Sequence, residues 1–257
     1  MKRPCQSIKI SIITVVLNGE ETIQNTIDSV LVQTYQNIEY IIIDGSSTDG
    51  TIGVVKSYGD KITKFVSEPD KGLYDAMNKG IDMATGDIIG ILNSDDFYID
   101  NDVIERVVKE FKNRGVDSVY ADLVYISSSN INKVVRYFDS GQFKPSLLSY
   151  GLMPAHPTFF VKKIFYDKYG KFCVDFKNAA DFDLLVRFIY INKITYSYID
   201  KVIVKMRLGG ASTSFSSMWT NNIEILRACK ANGVKTNIFK ILLRYVLKFR
   251  SSFKKIN

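Results

Sequence analysis

The chain has 257 residues, 46% of them hydrophobic, and a formal net charge of +7. That length suits one large domain or two small ones with an ordinary core, and no apolar run approaches the roughly 18 residues that cross a bilayer. The charge is uneven: residues 225–257 carry nine Lys and Arg and no acid, while the other 224 residues hold 25 basic and 27 acidic groups. A nucleic-acid binder would carry its basic face across the fold, so no nucleic-acid partner is expected.

The N-terminus, MKRPCQSIKI, is basic but has no apolar signal stretch. Cys5, Cys173 and Cys229 are odd in number, far apart and outside any CxxC pattern. They read as reduced cytosolic thiols rather than a zinc site or a disulfide framework. IKISIITVV (8–16) predicts a strand, residues 20–33 a helix through Ile23, Ile27, Val30 and Leu31, and EYIIID (39–44) a second strand. After DGSSTDG, TIGVVKSYG predicts a short helix, with Thr48 or Asp49 capping it. Then come a strand over 62–68, a helix over 73–86, a strand over 87–92 and a helix over 100–115 that starts at Asp and stops at Gly. DSVYADLVYIS continues as strand. This alternation predicts right-handed βαβ units and an α/β/α sandwich with a mostly parallel sheet.

The second half is less regular. A strand is expected over 133–139, an extended piece entering a helix over 153–165, and a helix over 179–192 opened by Asp181 and Asp183. ITYSYI (194–199) and VIVKMR (202–207) predict a hairpin, and LGGAS (208–212) a glycine turn able to approach phosphate through backbone N–H groups. The expected division is a catalytic domain over 1–215 and a helical extension over 216–257.

In parallel sheets ligands bind beyond the carboxyl ends of the strands, which groups TVVLNGE, DGSSTDG and NSDD on one rim. NSDD (93–96) drives an apolar strand into adjacent carboxylates. A hard divalent cation, Mg²⁺ or Mn²⁺, favours one or two carboxylates plus phosphate oxygens. A polar turn with Asp96 capping the next helix is the alternative reading of the same residues. DGSSTDG fails as an EF-hand, because ligand positions three, five and twelve fall on Ser46, Thr48 and Val55. Neither GxGxxG nor GxxxxGK[ST] occurs, which leaves dinucleotide and P-loop readings without a motif. A glycoside hydrolase also uses two carboxylates but has no need of them side by side on such a rim.

Together, TVVLNGEETIQNTIDSVLVQTYQNIEYIIIDGSSTDGT and SEPDKGLYDAMNKGIDMATGDIIGILNSDD resemble the family 2 glycosyltransferases of the GT-A fold. The resemblance is to the bacterial branch that builds O-antigen, capsule or exopolysaccharide. It is dense over 8–100 and thinner through MPAHPTFF, AADFDLLVR and MRLGGAS. It implies a metal-dependent inverting hexosyl- or N-acetylhexosaminyl-transferase using a UDP-, dTDP- or GDP-sugar, UDP foremost. The acceptor it implies is a glycan on a polyprenyl diphosphate lipid.

By that match Asp44 contacts the nucleobase, and Thr14, Val15, Asn18 and Glu20 form the first donor loop. Ser94 and Asp95 meet the ribose or sugar, Asp96 with Asp95 holds Mn²⁺ or Mg²⁺, and Asp75 borders the donor. Asp181 aligns with the general base of an E-D-x-x-L-x-x-R stretch. Ala180 replaces the Glu, which leaves Asp181 and Asp183 both open. His156, the chain's one histidine, falls on the acceptor side or is a structural hydrogen-bonder. Trp219 and Tyr150 are sugar-stacking or packing residues.

The tail TNIFKILLRYVLKFRSSFKKI places Ile238, Ile241, Leu242, Tyr245 and Phe249 at helical spacing among basic residues. It predicts peripheral contact with an anionic membrane at the cytoplasmic face. The other reading is a helix packed on its own domain or on a second copy in a homodimer. A non-catalytic nucleotide-sugar-binding or scaffold subunit of a polysaccharide assembly complex is the alternative function. A nucleotidyltransferase would need a glycine-rich basic loop where TVVLNGE stands.

Overall fold

The computed structural model describes residues 7–208 and 215–251. Cys5 and residues 209–212 of the LGGAS turn lie outside them. The strands are β1 (Ile10–Val16), β2 (Ile38–Asp44), β3 (Lys64–Ser67), β4 (Ile88–Ile91), β5 (Phe97–Tyr98), β6 (Ser118–Ile126), β7 (Val134–Phe138), β8 (Phe160–Lys162) and β9 (Tyr196–Arg207). The helices are α1 (Ile23–Leu31), α2 (Thr51–Ser57), α3 (Leu73–Met83), α4 (Val103–Arg114), α5 (Ile164–Tyr169), α6 (Ala180–Leu185), α7 (Phe215–Ala231) and α8 (Ile238–Ser251).

One sheet runs β3-β2-β1-β4-β8-β6-β9-β5, with β7 beside β6. The β3-β2-β1-β4 half is parallel, as is β6 with β9, while β8 joins the halves antiparallel to β4 and β6. Alternate residues feed opposite faces. Ile13, Val15, Ile41 and Ile43 pack with α3 and α6, whereas Ile10, Ile12, Tyr40 and Ile42 pack with α1, α2 and α4. Both faces are therefore covered, which explains why these strands are apolar throughout. Ile225, Ala228, Cys229 and Ile241 of α7 and α8 share the first of these cores with Leu184 and Phe188.

Two expectations change. The hairpin over 194–207 is a single strand, β9, paired parallel to β6 along its length. Asp200 and Lys201 read as a turn, but the register jumps from Ala121↔Ile199 to Asp122↔Val202, so a bulge absorbs the polar pair. The helix expected over 179–192 starts at Ala180 with Asp181 and Asp183 in its first turn and Ala179 as N-cap, and it widens into a π turn over Val186–Ile191.

Candidate active site

The loops after β1, β2 and β4 interlock. Asn18 adopts φ 52°, a left-handed conformation that asparagine tolerates. Its N–H donates to Ser47 Oγ at 2.7 Å and its Oδ1 accepts from the Thr48 N–H at 2.8 Å. Glu20 accepts from the Gly50 N–H at 2.9 Å. A Cβ at Gly50 would lie 2.2 Å from Glu20 Oε1, so glycine permits this approach. Asp49 caps the start of α2 by accepting from the Thr51 N–H at 3.0 Å.

Several donor-side side chains are engaged within the protein. Thr14 and Val15 are buried; Thr14 bonds Tyr40 Oη at 3.1 Å and Val15 joins the core, so neither side chain reaches the rim. Asp44 is also enclosed. It accepts from the Ser47 N–H at 3.0 Å, Ser47 Oγ at 2.5 Å and Ser67 Oγ at 2.6 Å. Its carboxylate thus places the two serines, Ser47 and Ser67, at the end of β2. Asp75 accepts from the Lys71 N–H at 3.0 Å in the first turn of α3, a helix-terminal role.

NSDD is a hydrogen-bonded turn rather than an extended segment, with the Asp96 N–H donating to the Asn93 carbonyl at 3.1 Å. It caps no helix. Its backbone is clamped from two sides: Thr26 Oγ1 donates to the Asp96 carbonyl at 2.7 Å, and Arg207 donates to the Asp95 carbonyl at 2.8 Å and to Asn25 at 2.6 Å. Arg207 ends β9, and its guanidinium lies 5.2 Å over Phe97. Ser94 and Asp95 are half-buried beside Gly19, whose Cβ would lie 3.5 Å from Ser94 Oγ.

Asp96 is fully buried, and neither of its carboxylate oxygens nor Asn93 Oδ1 has a hydrogen-bond partner. Burial, and then the neighbouring Asp95, push its carboxyl well above the usual range. Burial also raises Asp95. Glu39, at the far end of the sheet, shows what a protein-satisfied buried carboxylate looks like. Burial works to raise it, but Ser11, Thr85 and Lys64 overcome that and hold it at about 2. Around Asp96 the Arg207 N–H and charge and the Asn93 side chain pull the other way but do not overcome the burial. Three orphaned oxygens on one turn suit a hard cation, which takes oxygen ligands and removes the cost of burying the charge. Among the described residues no group of three or more His, Cys, Asp or Glu is placed to hold a metal. The set therefore fits a cation that also takes oxygens from its ligand.

Asp181 and Asp183 separate cleanly. Asp183 is buried, with Oδ2 accepting from Arg187 Nε at 2.9 Å and Oδ1 from Asn232 Nδ2 at 2.8 Å. It is a packed ion pair, and Asp181 is the more accessible of the two carboxylates. Asp181 keeps some exposure, and its Oδ2 lies 3.2 Å from His156 Nδ1. Tyr74, from the first turn of α3, lies beside it: burial, and then the Asp181 charge, push that phenol far above its usual range. Because α3 begins just after β3, Asp181 stands at the same rim as the donor loops. Glu224 of α7 fixes the approach to α6 by accepting from the N–H groups of Lys177 at 2.9 Å and Asn178 at 2.8 Å.

The glycosyl transferase family 2 profile matches residues 11–179, well over half of the chain. The chain belongs to glycosyl transferase family 2. An uncharacterised glycosyltransferase of Rickettsia typhi is 30% identical over 91% of this chain and 74% of its own length. The Escherichia coli protein WfaP is named a UDP-Glc:α-D-GlcNAc-diphosphoundecaprenol β-1,3-glucosyltransferase. It is 27% identical over 91% of this chain and 83% of its own length. S. aureus TarS in complex with UDP-GlcNAc superposes with a TM-score of 0.68 at 17% identity, covering 95% of this chain and 73% of that one. A Pyrobaculum calidifontis mannosyltransferase with GDP-Man and Mn²⁺ gives 0.65 at 18%, covering 94% and 69%. This family 2 chain thus has the GT-A fold and is a glycosyltransferase.

Sequence reasoning overlooked Arg207, Tyr74 and Glu224. Each acts across more than 40 residues or from an element with no motif of its own. The only available signal was a charged or polar residue in an otherwise apolar segment.

Proposed function

We propose that this family 2 chain is an inverting glycosyltransferase that moves a sugar from a UDP-sugar to a glycan carried on a polyprenyl diphosphate. The observation that carries the reading is the unpartnered Asp96 carboxylate on a clamped turn at the rim that also bears Asp181. Asp95, from its half-exposed side, and Asp96, from beneath, would hold a divalent cation. When bound, the cation supplies charge neutralisation for the leaving diphosphate. Asn18, Glu20 and Ser94 shape the donor cleft, while Asp44 sets Ser47 and Ser67.

Asp181 takes the proton of the acceptor hydroxyl as that oxygen bonds to the anomeric carbon. The bond from that carbon to the diphosphate oxygen breaks on the opposite face, so the configuration inverts. His156 Nδ1 lies 3.2 Å from Asp181 Oδ2, close enough to hold that carboxylate in one orientation. WfaP supports the lipid-linked acceptor and the UDP donor by its name, and the TarS complex supports a UDP-sugar in this fold.

Calorimetric titration with UDP, dTDP and GDP, each with Mn²⁺ and with EDTA, tests the donor assignment. UDP is expected to bind in a Mn²⁺-dependent way. A folded sample that binds none of the three would favour the scaffold alternative. His156→Ala is expected to lower the transfer kcat about 10- to 100-fold with donor KM unchanged, because it frees Asp181 to rotate. His156→Asn, which keeps a donor, should recover part of that loss. An equal fall with both variants, or a change confined to KM, would remove the positioning role.

A further inference from the structure

Helix α8 presents two apolar faces, and the one that meets solvent shares only Leu242 with the row its sequence pattern suggests. Ile241 is fully buried against the domain and Tyr245 is half-buried, its hydroxyl 3.2 Å from Asn222 on α7. Rotated from them, Phe239, Leu242, Leu243 and Val246 are 79%, 37%, 45% and 58% exposed. Their spacing of i, i+3, i+4 and i+7 makes one continuous stripe. Four large apolar side chains in one row are more than the scattered exposure ordinary on a soluble surface.

The charge says what covers the stripe. Residues 225–257 hold nine basic groups and no acid; Arg244 is buried against the domain and does not contribute to the outer face. Lys230 and Lys235 are exposed and Lys240 is partly so. An apolar row within an all-basic segment complements a surface that is apolar inside and anionic at its face. We propose that the stripe Phe239–Leu242–Leu243–Val246 docks the protein on an anionic lipid bilayer.

The docking bears on the chemistry through rigid contacts. α8 packs on α7 and on the turn 145–150, and Thr236 Oγ1 donates to the Ser149 carbonyl at 2.6 Å. α7 in turn holds α6 through Glu224, as described above. A bilayer under α8 therefore sits at a fixed position relative to Asp181, where a lipid-borne acceptor would arrive. The docking itself stands apart from the donor assignment and does not depend on it.

Flotation of the full chain with vesicles of phosphatidylcholine, with and without phosphatidylglycerol, tests it. The wild type is expected to float with the anionic vesicles, less so at high salt. The double substitution Phe239→Ser, Leu243→Ser should weaken partition at least ~10-fold. Ile164→Ser, which removes an exposed apolar residue on α5, should bind as the wild type does. Thermal melts and UDP titration matching the wild type would show that the double variant is folded. No flotation, equal flotation with both vesicle types, or wild-type partition by the double variant would overturn the proposal. So would a solution dimer that the double variant dissociates, since that would give the stripe to a second copy. None of these results would alter UDP binding, so failure here is distinguishable from failure of the donor assignment.

Discussion

Asp181→Asn is expected to leave metal-dependent UDP binding intact and to cut glycosyl transfer by about 10²- to 10⁴-fold, the usual contribution of a general base. The asparagine preserves size and can still accept from the Phe182 N–H, which Asp181 Oδ1 holds at 2.7 Å. What it cannot do is take a proton from the acceptor hydroxyl. Transfer and donor binding are measured on the same preparation, so a misfolded sample would be seen in both. Asp183→Asn behaves differently: it removes the counter-charge from the half-buried Arg187 guanidinium, which keeps its bonds to the Tyr169, Gly170 and Lys171 carbonyls, and is expected to cost about 2 kcal/mol of stability. If Asp183→Asn lost transfer with stability unchanged, while Asp181→Asn kept transfer, the base would move two residues along the chain.

The second large effect is at Asp96. Asp96→Asn removes a buried carboxylate whose oxygens have no well-formed hydrogen bond and whose charge Arg207 and Asn93 offset only in part. The metal-free protein should then melt at the wild-type temperature or above it, whereas loss of a satisfied buried carboxylate lowers stability. The same variant should lose the Mn²⁺-dependence of UDP binding, since an amide replaces an anionic oxygen ligand by a weaker neutral one. Asp95→Asn should weaken that dependence as well. A wild-type Mn²⁺ response in Asp96→Asn would end the metal assignment. A sharp loss of stability would mean instead that the carboxylate has partners in the folded protein.

The first 115 residues were legible because their signals are local. Strand-length runs of Ile and Val, helical spacing in 23–31, and Gly115 in a left-handed conformation at the end of α4 specify their elements without help from the rest of the chain. The hairpin error over 194–207 has the opposite origin. Asp200 and Lys201 look like a turn, and only the presence of β6 alongside lets the strand carry them as a bulge. The apolar row that α8 leaves exposed differs from the expected one for a similar reason. Periodicity identifies an amphipathic helix, but which apolar row is buried depends on what the fold places beside it, here α7 and the turn 145–150.

By itself the sequence determined the α/β alternation, the rim where NSDD, DGSSTDG and TVVLNGE meet, and the family, since hydrophobic period and short motifs are properties of neighbouring residues. Tertiary structure decided the chemistry within that rim. It buried Asp96 without partners, spent Asp44 on Ser47 and Ser67, locked Asp183 to Arg187 and Asn232, and set Asp181 against His156. A carboxylate's role depends on its exposure and its partners, and those partners come from residues up to 49 positions away in the case of Asp183. No local pattern encodes such a distance; it appears only when the helices pack on the sheet.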